Sequence, residues 1–278
     1  MSLQRPIAAL RPFVEALWAS DAASGGVAYR EHVLPSGRMH LAIRLGDAPM
    51  RLFREANDSM GEGMRPATVC GARPGFYIKQ AAPASSVGVL LRPGAAQALL
   101  GCDADELGAR HIALDDLWSV HDVERLLEQL RAEPDARARI QALQRALLDR
   151  LRPVRAMHPA IAQAMQQLDE GDAKVREIVA ASGCSHRHLI ARFRAATGLA
   201  PKEYARVKRF RRALRLLAAA RPLDGLALDA GYSDQAHFNR EFRALAGITP
   251  REYLAAPVRG SLHVPRVNFV QDAPARAD

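Results

Sequence analysis

Apolar residues change their spacing along this chain, and the changes predict an order of elements. Met39, Leu41, Ile43 and Leu45 alternate with His40, Ala42 and Arg44, the two-residue period of a half-buried strand. Leu34-Pro35-Ser36-Gly37 supplies a turn before that strand, and Gly46-Asp47-Ala48-Pro49 a turn after it. Val87, Val89 and Leu91 alternate again and stop at Pro93-Gly94. Between these runs, Cys70-Gly71-Ala72-Arg73-Pro74-Gly75-Phe76-Tyr77 reads as a turn feeding another strand. Short strands parted by turns predict a sandwich or small barrel over residues 25–92. Over residues 94–152 the spacing becomes helical. Val123, Leu126, Leu127 and Leu130, then Ile140, Leu143, Leu147 and Leu151, keep three- and four-residue steps on either side of Glu133-Pro134-Asp135. Such stripes need a covering surface, either the chain's own strands or a second copy of the chain. Asp103, Asp105 and Glu106 after Cys102 suit the start of a helix, where carboxylates meet the positive end of the dipole.

Past Pro153–Pro159, the main boundary, the chain repeats itself. Phe193-Arg194-Ala195 and Gly198-Leu199-Ala200-Pro201-Lys202-Glu203-Tyr204 have counterparts in Phe242-Arg243-Ala244 and Gly247-Ile248-Thr249-Pro250-Arg251-Glu252-Tyr253. Upstream, Gly183-Cys184-Ser185 matches Gly231-Tyr232-Ser233 with one residue of slack. Each copy has the grammar of a helix-turn-helix. Val175, Ile178 and Val179 share one face of a short helix, Gly183 turns, Ser185 caps, and Leu189 and Phe193 stack on the buried side of a second helix that ends at Gly198. In the second copy Leu226, Ala227 and Ala230 precede Gly231, Ser233 or Asp234 caps, and Phe238 and Phe242 are the buried pair. Gly225 falls inside the first helix of that copy, at a cost of up to about 1 kcal/mol relative to alanine. Between the copies, Pro201 to Ala220 reads as one helix with a buried stripe of Tyr204, Val207, Ala213 or Leu214, and Leu217. A helix of about 20 residues spans roughly 30 Å, close to the roughly 34 Å between major-groove faces on one side of B-DNA.

Charge sharpens this picture. Residues 1–150 hold 18 Lys and Arg against 18 Asp and Glu, whereas residues 151–256 hold 18 against 10. The tail, 257–278, holds 3 against 2. Between Lys174 and Arg221, 13 basic residues face only Glu177 and Glu203. A neutral first half joined to a basic second half points to a polyanionic partner for the second half. Hydrophobic content of 49% and charged content of 25% are those of an ordinary globular protein. No apolar run is long enough to span a bilayer, and the N-terminus lacks the apolar stretch of a secretory signal. Three cysteines, Cys70, Cys102 and Cys184, are too few and scattered for a disulfide framework or zinc site, in keeping with a cytoplasmic protein.

With the buried pairs as reference, about 3.6 residues per turn sets the outward face. In the first unit Arg187, Ala191 and Arg194 lie opposite, with Ile190 to one side. In the second, Ala236, Arg240 and Arg243 lie opposite, with Asn239 to one side and Gln235 near the start. Arginine pairs with guanine, and asparagine or glutamine with adenine, so Arg240, Asn239 and Arg187 are the leading base readers. Arg194 and Arg243 suit phosphate equally well.

The pattern resembles the AraC/XylS family of bacterial transcription regulators. The likeness covers about residues 158–256 and rests on Ser185-His186-Arg187-His188-Leu189-Ile190-Ala191-Arg192-Phe193-Arg194 and on Gly231-Tyr232-Ser233-Asp234-Gln235-Ala236-His237-Phe238-Asn239-Arg240-Glu241-Phe242, each followed by its Gly-x-x-Pro. It implies an α+β chain: an N-terminal mostly-β, cupin-like sensing or dimerising domain with following helices over 1–152, an all-α domain of two helix-turn-helix units joined by a long helix over 157–256, and the tail. The first half is similar to a poorly characterised type found in such regulators, through Leu34-Pro35-Ser36-Gly37 and Cys70-Gly71-Ala72-Arg73. The implied partner is double-stranded DNA, with a small-molecule effector, RNA polymerase and a second copy of the chain as further candidates, and with neither membrane nor cofactor. One departure is that Ile190 and Ala191 stand where polar base readers are common; they can touch thymine methyls but make no bidentate contact. Some DNA-repair alkyl transferases also carry such units, but they need a cysteine in a Pro-Cys-His-Arg setting, which this sequence lacks. His186 and His188, two apart on a helix, point in different directions and make no metal site. His32 and His40 spell out no ligand cluster either.

Overall fold

The computed structural model describes residues 2–21, 28–47, 50–53, 58–170, 175–181, 183, 185–219, 225–256 and 262–265, with backbone alone for Val175, Ala181 and Pro265. Ala48, Pro49, Lys174, Cys184, Ala220 and Arg221 of the sequence reading lie outside the described residues, as does the Val175 side chain.

The first half folds as two antiparallel sheets. Its strands are β1 (Ser2–Gln4), β2 (Val14–Ser20), β3 (Tyr29–Val33), β4 (His40–Arg44), β5 (Met50–Phe53), β6 (Glu62–Met64), β7 (Ala67–Cys70), β8 (Tyr77–Ala81), β9 (Ser86–Leu91) and β10 (His111–Ala113). A last strand, β11 (His263–Pro265), comes from the far end of the chain. One sheet runs β1-β2-β9-β4-β7-β10 and the other β11-β3-β8-β5-β6. The alternation read at 39–45 and 87–91 is that of β4 and β9, paired with Leu41 opposite Val89 and Ile43 opposite Val87. Those four join Leu17, Ala19 and Val69 on one fully buried face. Strand β2 escapes the two-residue period because a bulge between Val14 and Ala16 breaks it. Strand β10 is three residues long and lies within the stretch read as helical, too short to show a period.

Helices α1 (Ala95–Leu99), α2 (Val120–Ala132) and α3 (Ala136–Asp149) follow the strands. Ser119 and Asp135 cap α2 and α3, accepting from Asp122 N and Ala138 N. Helix α3 lies on β2 and β9, with Ile140, Leu143 and Leu147 buried. Helix α2 packs on α3 and on the turn Leu114–Asp116, so both stripes are covered within the first half of the chain, that of α3 by the sheet. The expected helix start after Cys102 is instead a set of turns, in which Asp103 N donates to Glu106 Oε1 at 2.8 Å.

The second half is helical: α4 (Pro159–Glu170), α5 (Val175–Ala181), α6 (His186–Thr197), α7 (Pro201–Ala218), α8 (Leu226–Asp229), α9 (Gln235–Ala246) and α10 (Pro250–Ala255). Helices α5–α6 and α8–α9 are the two helix-turn-helix units, and α7 is the connector. Gly225 is not inside a helix: with φ of 81° it sits at the N-cap of the four-residue α8, where its freedom is useful. The connector stripe is Tyr204, Val207, Phe210, Ala213, Leu214 and Leu217, all buried. Phe210, missed among the flanking arginines, meets Phe242 of the second unit edge-on at 5.1 Å, while Tyr204 meets Phe193 of the first at 5.3 Å. One helix thereby packs on both units.

Candidate nucleic-acid interface

Each second helix of a unit is aimed by its caps and by one apolar face. Ser185 Oγ accepts from His188 N at 3.3 Å, and Asp234 Oδ1 from His237 N at 2.7 Å, so Asp234 and not Ser233 is the cap of α9. Hydrogen bonds from the His237 backbone and the Ser233 hydroxyl hold the Asp234 carboxyl below its usual range. At the other end Gly198 (φ 78°) and Gly247 (φ 74°) take the left-handed turn. Leu189, Phe193 and Thr197 are buried under α6, and Phe238, Phe242, Leu245 and Ala246 under α9.

The opposite faces are open. Arg187, Ala191 and Arg194 are exposed on α6, with Ile190 half-buried at their side. On α9 Gln235, Ala236, Asn239, Arg240 and Arg243 are all exposed. Gln235 Nε2 donates to Asn239 Oδ1 at 3.3 Å, so the two amides stand together. The residues chosen on each helix therefore share a face.

Sequence reasoning missed the groups that position these faces. Arg206 of the connector grips Glu241 of α9 through Nε at 2.6 Å and Nη2 at 3.1 Å. Lys208 pairs with Asp169 at 2.8 Å, and Arg212 Nη2 donates to Glu170 O at 2.6 Å. Part of the basic excess is thus engaged within the protein. The one hint was Glu241, an acid amid basic and neutral residues.

The last turns of both helices rest on the first half of the chain. Gly94 N donates to Ala196 O at 2.7 Å, and Ala104 N to Ala195 O at 2.8 Å, at the end of α6. His32 Nδ1 donates to Ala246 O at 2.9 Å, at the end of α9. A Cβ on Gly198 would stand 3.2 Å from the Ala72 Cβ, and one on Gly247 2.5 Å from the Phe76 ring. Arg38 Nη1 reaches Tyr204 OH at 3.4 Å, and Val207 fills the space beside Gly37.

A second polar cluster lies between the two sheets. His40, Cys70 and His111 stand opposite one another on β4, β7 and β10. Tyr77 packs edge-on against His111, with ring centres 4.6 Å apart. Burial, aided by Lys79, His263 and Arg73, pushes His40 down to about 4. Burial, with Arg73, His40 and Lys79, takes His111 to about 3. Burial raises Cys70 to about 12 and raises Cys102 as well, so neither thiol is activated. Among the described residues no three His, Cys, Asp or Glu side chains are placed to hold a metal ion.

Comparison with known proteins gives two family matches. A helix-turn-helix domain matches residues 178–256, and a domain of unknown function, DUF6597, matches residues 4–113. A search of curated proteins returns no match. Among solved structures, the DNA-binding domain of AdpA, a global transcriptional factor in complex with a target DNA, is 30% identical; the match covers 34% of this chain and 86% of that one, with a TM-score of 0.31. ToxT from Vibrio cholerae is 10% identical over 86% of this chain and 96% of its own, with a TM-score of 0.44. The C-terminal domain of AraT, a response regulator from Geobacillus stearothermophilus, is 20% identical over 36% of this chain and 88% of its own, with a TM-score of 0.34.

Proposed function

This chain belongs to the AraC/XylS family of transcription regulators, and from that premise we propose how it reads DNA. Helices α6 and α9 enter neighbouring major grooves, held apart by α7, whose 18 residues span about 27 Å. Arg240 contacts guanine, the Gln235–Asn239 pair contacts adenine, and Arg187 is the main reader of the first unit. Ile190, Ala191 and Ala236 offer apolar contact to thymine methyls, while Arg194 and Arg243 hold phosphates. Residues 157–256 are the DNA reader. Residues 1–152 sense a small molecule and dimerise, and 257–278 form a tail. The protein acts in the cytoplasm; no helix among the described residues is long and apolar enough to cross a membrane.

The observation that carries this reading is the coincidence of exposure and chemistry on α9: Gln235, Asn239 and Arg240 share an outward face, within residues 151–256, which as a whole carry 18 basic against 10 acidic residues. Selection of bound sites from random duplex DNA with the full chain tests it. The expected result is two short preferred blocks about one helical turn apart, with affinity falling as salt rises. Recovery of unselected sequence, or affinity indifferent to salt, would overturn it.

A further inference from the structure

Two turn segments of the first half, 34–38 and 70–76, touch three helices of the second. In the first segment Ser36 Oγ accepts from Arg38 N at 3.0 Å, which holds the turn. A Cβ on Gly37 would stand 3.2 Å from Val207 Cγ1 of the connector, and Arg38 spans from Glu15, at 3.0 Å, to the connector's Tyr204 OH, at 3.4 Å. The second segment is fixed to its own half. Gly71 N donates to Arg110 O and Ala109 N to Ala72 O, both at 2.9 Å, and Arg73 donates to Ala109 O at 3.1 Å and His111 Nδ1 at 3.0 Å. From that base Ala72 meets Gly198 at the end of α6, and Phe76 meets Gly247 at the end of α9. The last four carbonyls of a helix have no partner within it. Of these, Ala195 O and Ala196 O of α6 accept from Ala104 N and Gly94 N, and Ala246 O of α9 accepts from His32 Nδ1, whose ring stacks on Phe76. Donors from the first half thus complete the ends of both recognition helices. The connector grips each helix from the side, at Phe193 and Phe242. A rod held at one point can pivot, and a second hold at its end removes that freedom.

We propose that the first half is a splint for the DNA reader: docked through His32, Gly37, Arg38, Ala72 and Phe76, it fixes the placement of α6 relative to α9, and the docked state is the one that reads DNA. The named contacts on α6 and α9 fall at residues 195–198 and 246–247. Recognition helices read bases from their N-terminal parts, the opposite ends. Arg187, Ala191, Arg194, Gln235, Asn239 and Arg240 stay exposed with the dock closed. Residues 1–150, with 18 basic and 18 acidic side chains, bring no net repulsion to a phosphate backbone. The five docking residues are therefore positioning residues. Holding two units in place beforehand removes an ordering cost from binding. It also makes the chain strict about the distance between the two blocks it reads, because both units engage only where the geometry lets them. Leu34-Pro35-Ser36-Gly37 and Cys70-Gly71-Ala72-Arg73 share one task here, offering a backbone with little bulk to the helices. The proposal rests on the DNA-reading role.

The test locks the dock shut. A Cβ on Gly37 would lie 3.9 Å from Val207 Cβ, within the roughly 3.5–4.5 Å of a disulfide. The full chain with Gly37→Cys and Val207→Cys is compared oxidised and reduced on the preferred duplex, with the parent carried through the same treatment. Gly37 has a φ of 70°, so cysteine there is strained, but both redox forms carry that strain. The oxidised form should bind at least as tightly as the reduced form. Loss of binding on oxidation, restored by reductant, means that the dock must open and overturns the splint. Phe76→Ala needs no bridge. In the parent, one base pair inserted between the two blocks should weaken binding at least about ten-fold, since one unit then misses its groove. In Phe76→Ala the preferred spacing should bind more weakly and the inserted spacing about as before, so that the penalty shrinks to about three-fold or less. A loss of stability alone would lower both alike and leave the penalty as it was. An unchanged penalty shows that the connector alone sets the spacing, and tighter binding at both spacings shows an inhibitory dock; either overturns the proposal. A parent that binds no duplex sinks the DNA-reading role itself. A parent that binds, with any of the contrary results above, sinks the splint alone.

Discussion

Arg240 is exposed midway between Phe238 and Phe242, both fully buried. Replacing Arg240 with alanine leaves caps and core intact, so stability should change by no more than about 0.5 kcal/mol. Binding to the preferred site should weaken by about 1–3 kcal/mol, with preference relaxed at one or two positions. A phosphate contact would instead weaken every sequence alike and lower the salt slope by about one; competition against a randomised pool tells the two apart. His40 and His111 give a pH dependence whose sign follows from their depression to about 4 and about 3. Above the unfolded value of about 6.5 both states are neutral and stability is complete. Between about 6.5 and about 4 the unfolded chain takes up two protons that the folded chain refuses, so stability falls on acidification by up to about 2.7 kcal/mol per pH unit. Urea unfolding at several pH values should show this loss, and His40→Gln with His111→Gln should flatten it. The reading face was legible because helix period alone sets which residues oppose Phe238. The Arg73–His111 contact was not, since 38 residues separate the two and only sheet pairing brings them together.

Helix α9 shows how an element is aimed. Its start is set by Asp234, its end by Gly247, its roll by Phe238 and Phe242, and its tilt against the connector by Arg206–Glu241. Asp234→Ala should cost about 1 kcal/mol of stability through the lost cap, measured by denaturant unfolding. Arg206→Ala should affect function more than stability: a partly exposed ion pair is worth up to about 1 kcal/mol, yet its loss frees α9 to turn. A DNA affinity loss no greater than the stability loss would show that the pair does not orient the helix. Caps and turns at 183, 185, 198, 231 and 247 were readable because such signals act within a few residues. The shortness of α8 and the bulge in β2 were not, since both depend on what the backbone packs against.

Across the whole molecule, a strand near the far end of the chain returns to the first half. Strand β11 pairs with β3, Val264 is buried, and His263 reaches Glu31 at 2.9 Å. Although buried, Glu31 is held down to about 2 by its bonds to His263 and Lys79. Truncation after Ala256 should lower stability by about 2 kcal/mol through loss of Val264 and the strand pairing, and a smaller loss would show that the strand adds little. The net charge of residues 151–256 also overstates the electrostatic footprint. With Arg206, Lys208 and Arg212 engaged by Glu241, Asp169 and the Glu170 carbonyl, the salt slope should be smaller than the count of basic residues suggests. Titration of a preferred site at several salt concentrations measures that slope.

By itself the sequence determined the two helix-turn-helix units, the Ser185 cap of α6, the connector and the outward residues of α6 and α9, and left the cap of α9 between Ser233 and Asp234. These depend on helix period, glycine geometry and a repeat, all of which act over short separations. Tertiary structure alone decided that α3 covers its own sheet and α2 packs on α3, that α6 and α9 end on the first half of the chain, and that β11 closes the second sheet. It also decided that Arg73 lies beside His111 and Tyr77, with no acid among the described residues to balance it. Such contacts join residues tens to hundreds of positions apart, where no local period relates the partners and only the packed chain brings them within bonding distance.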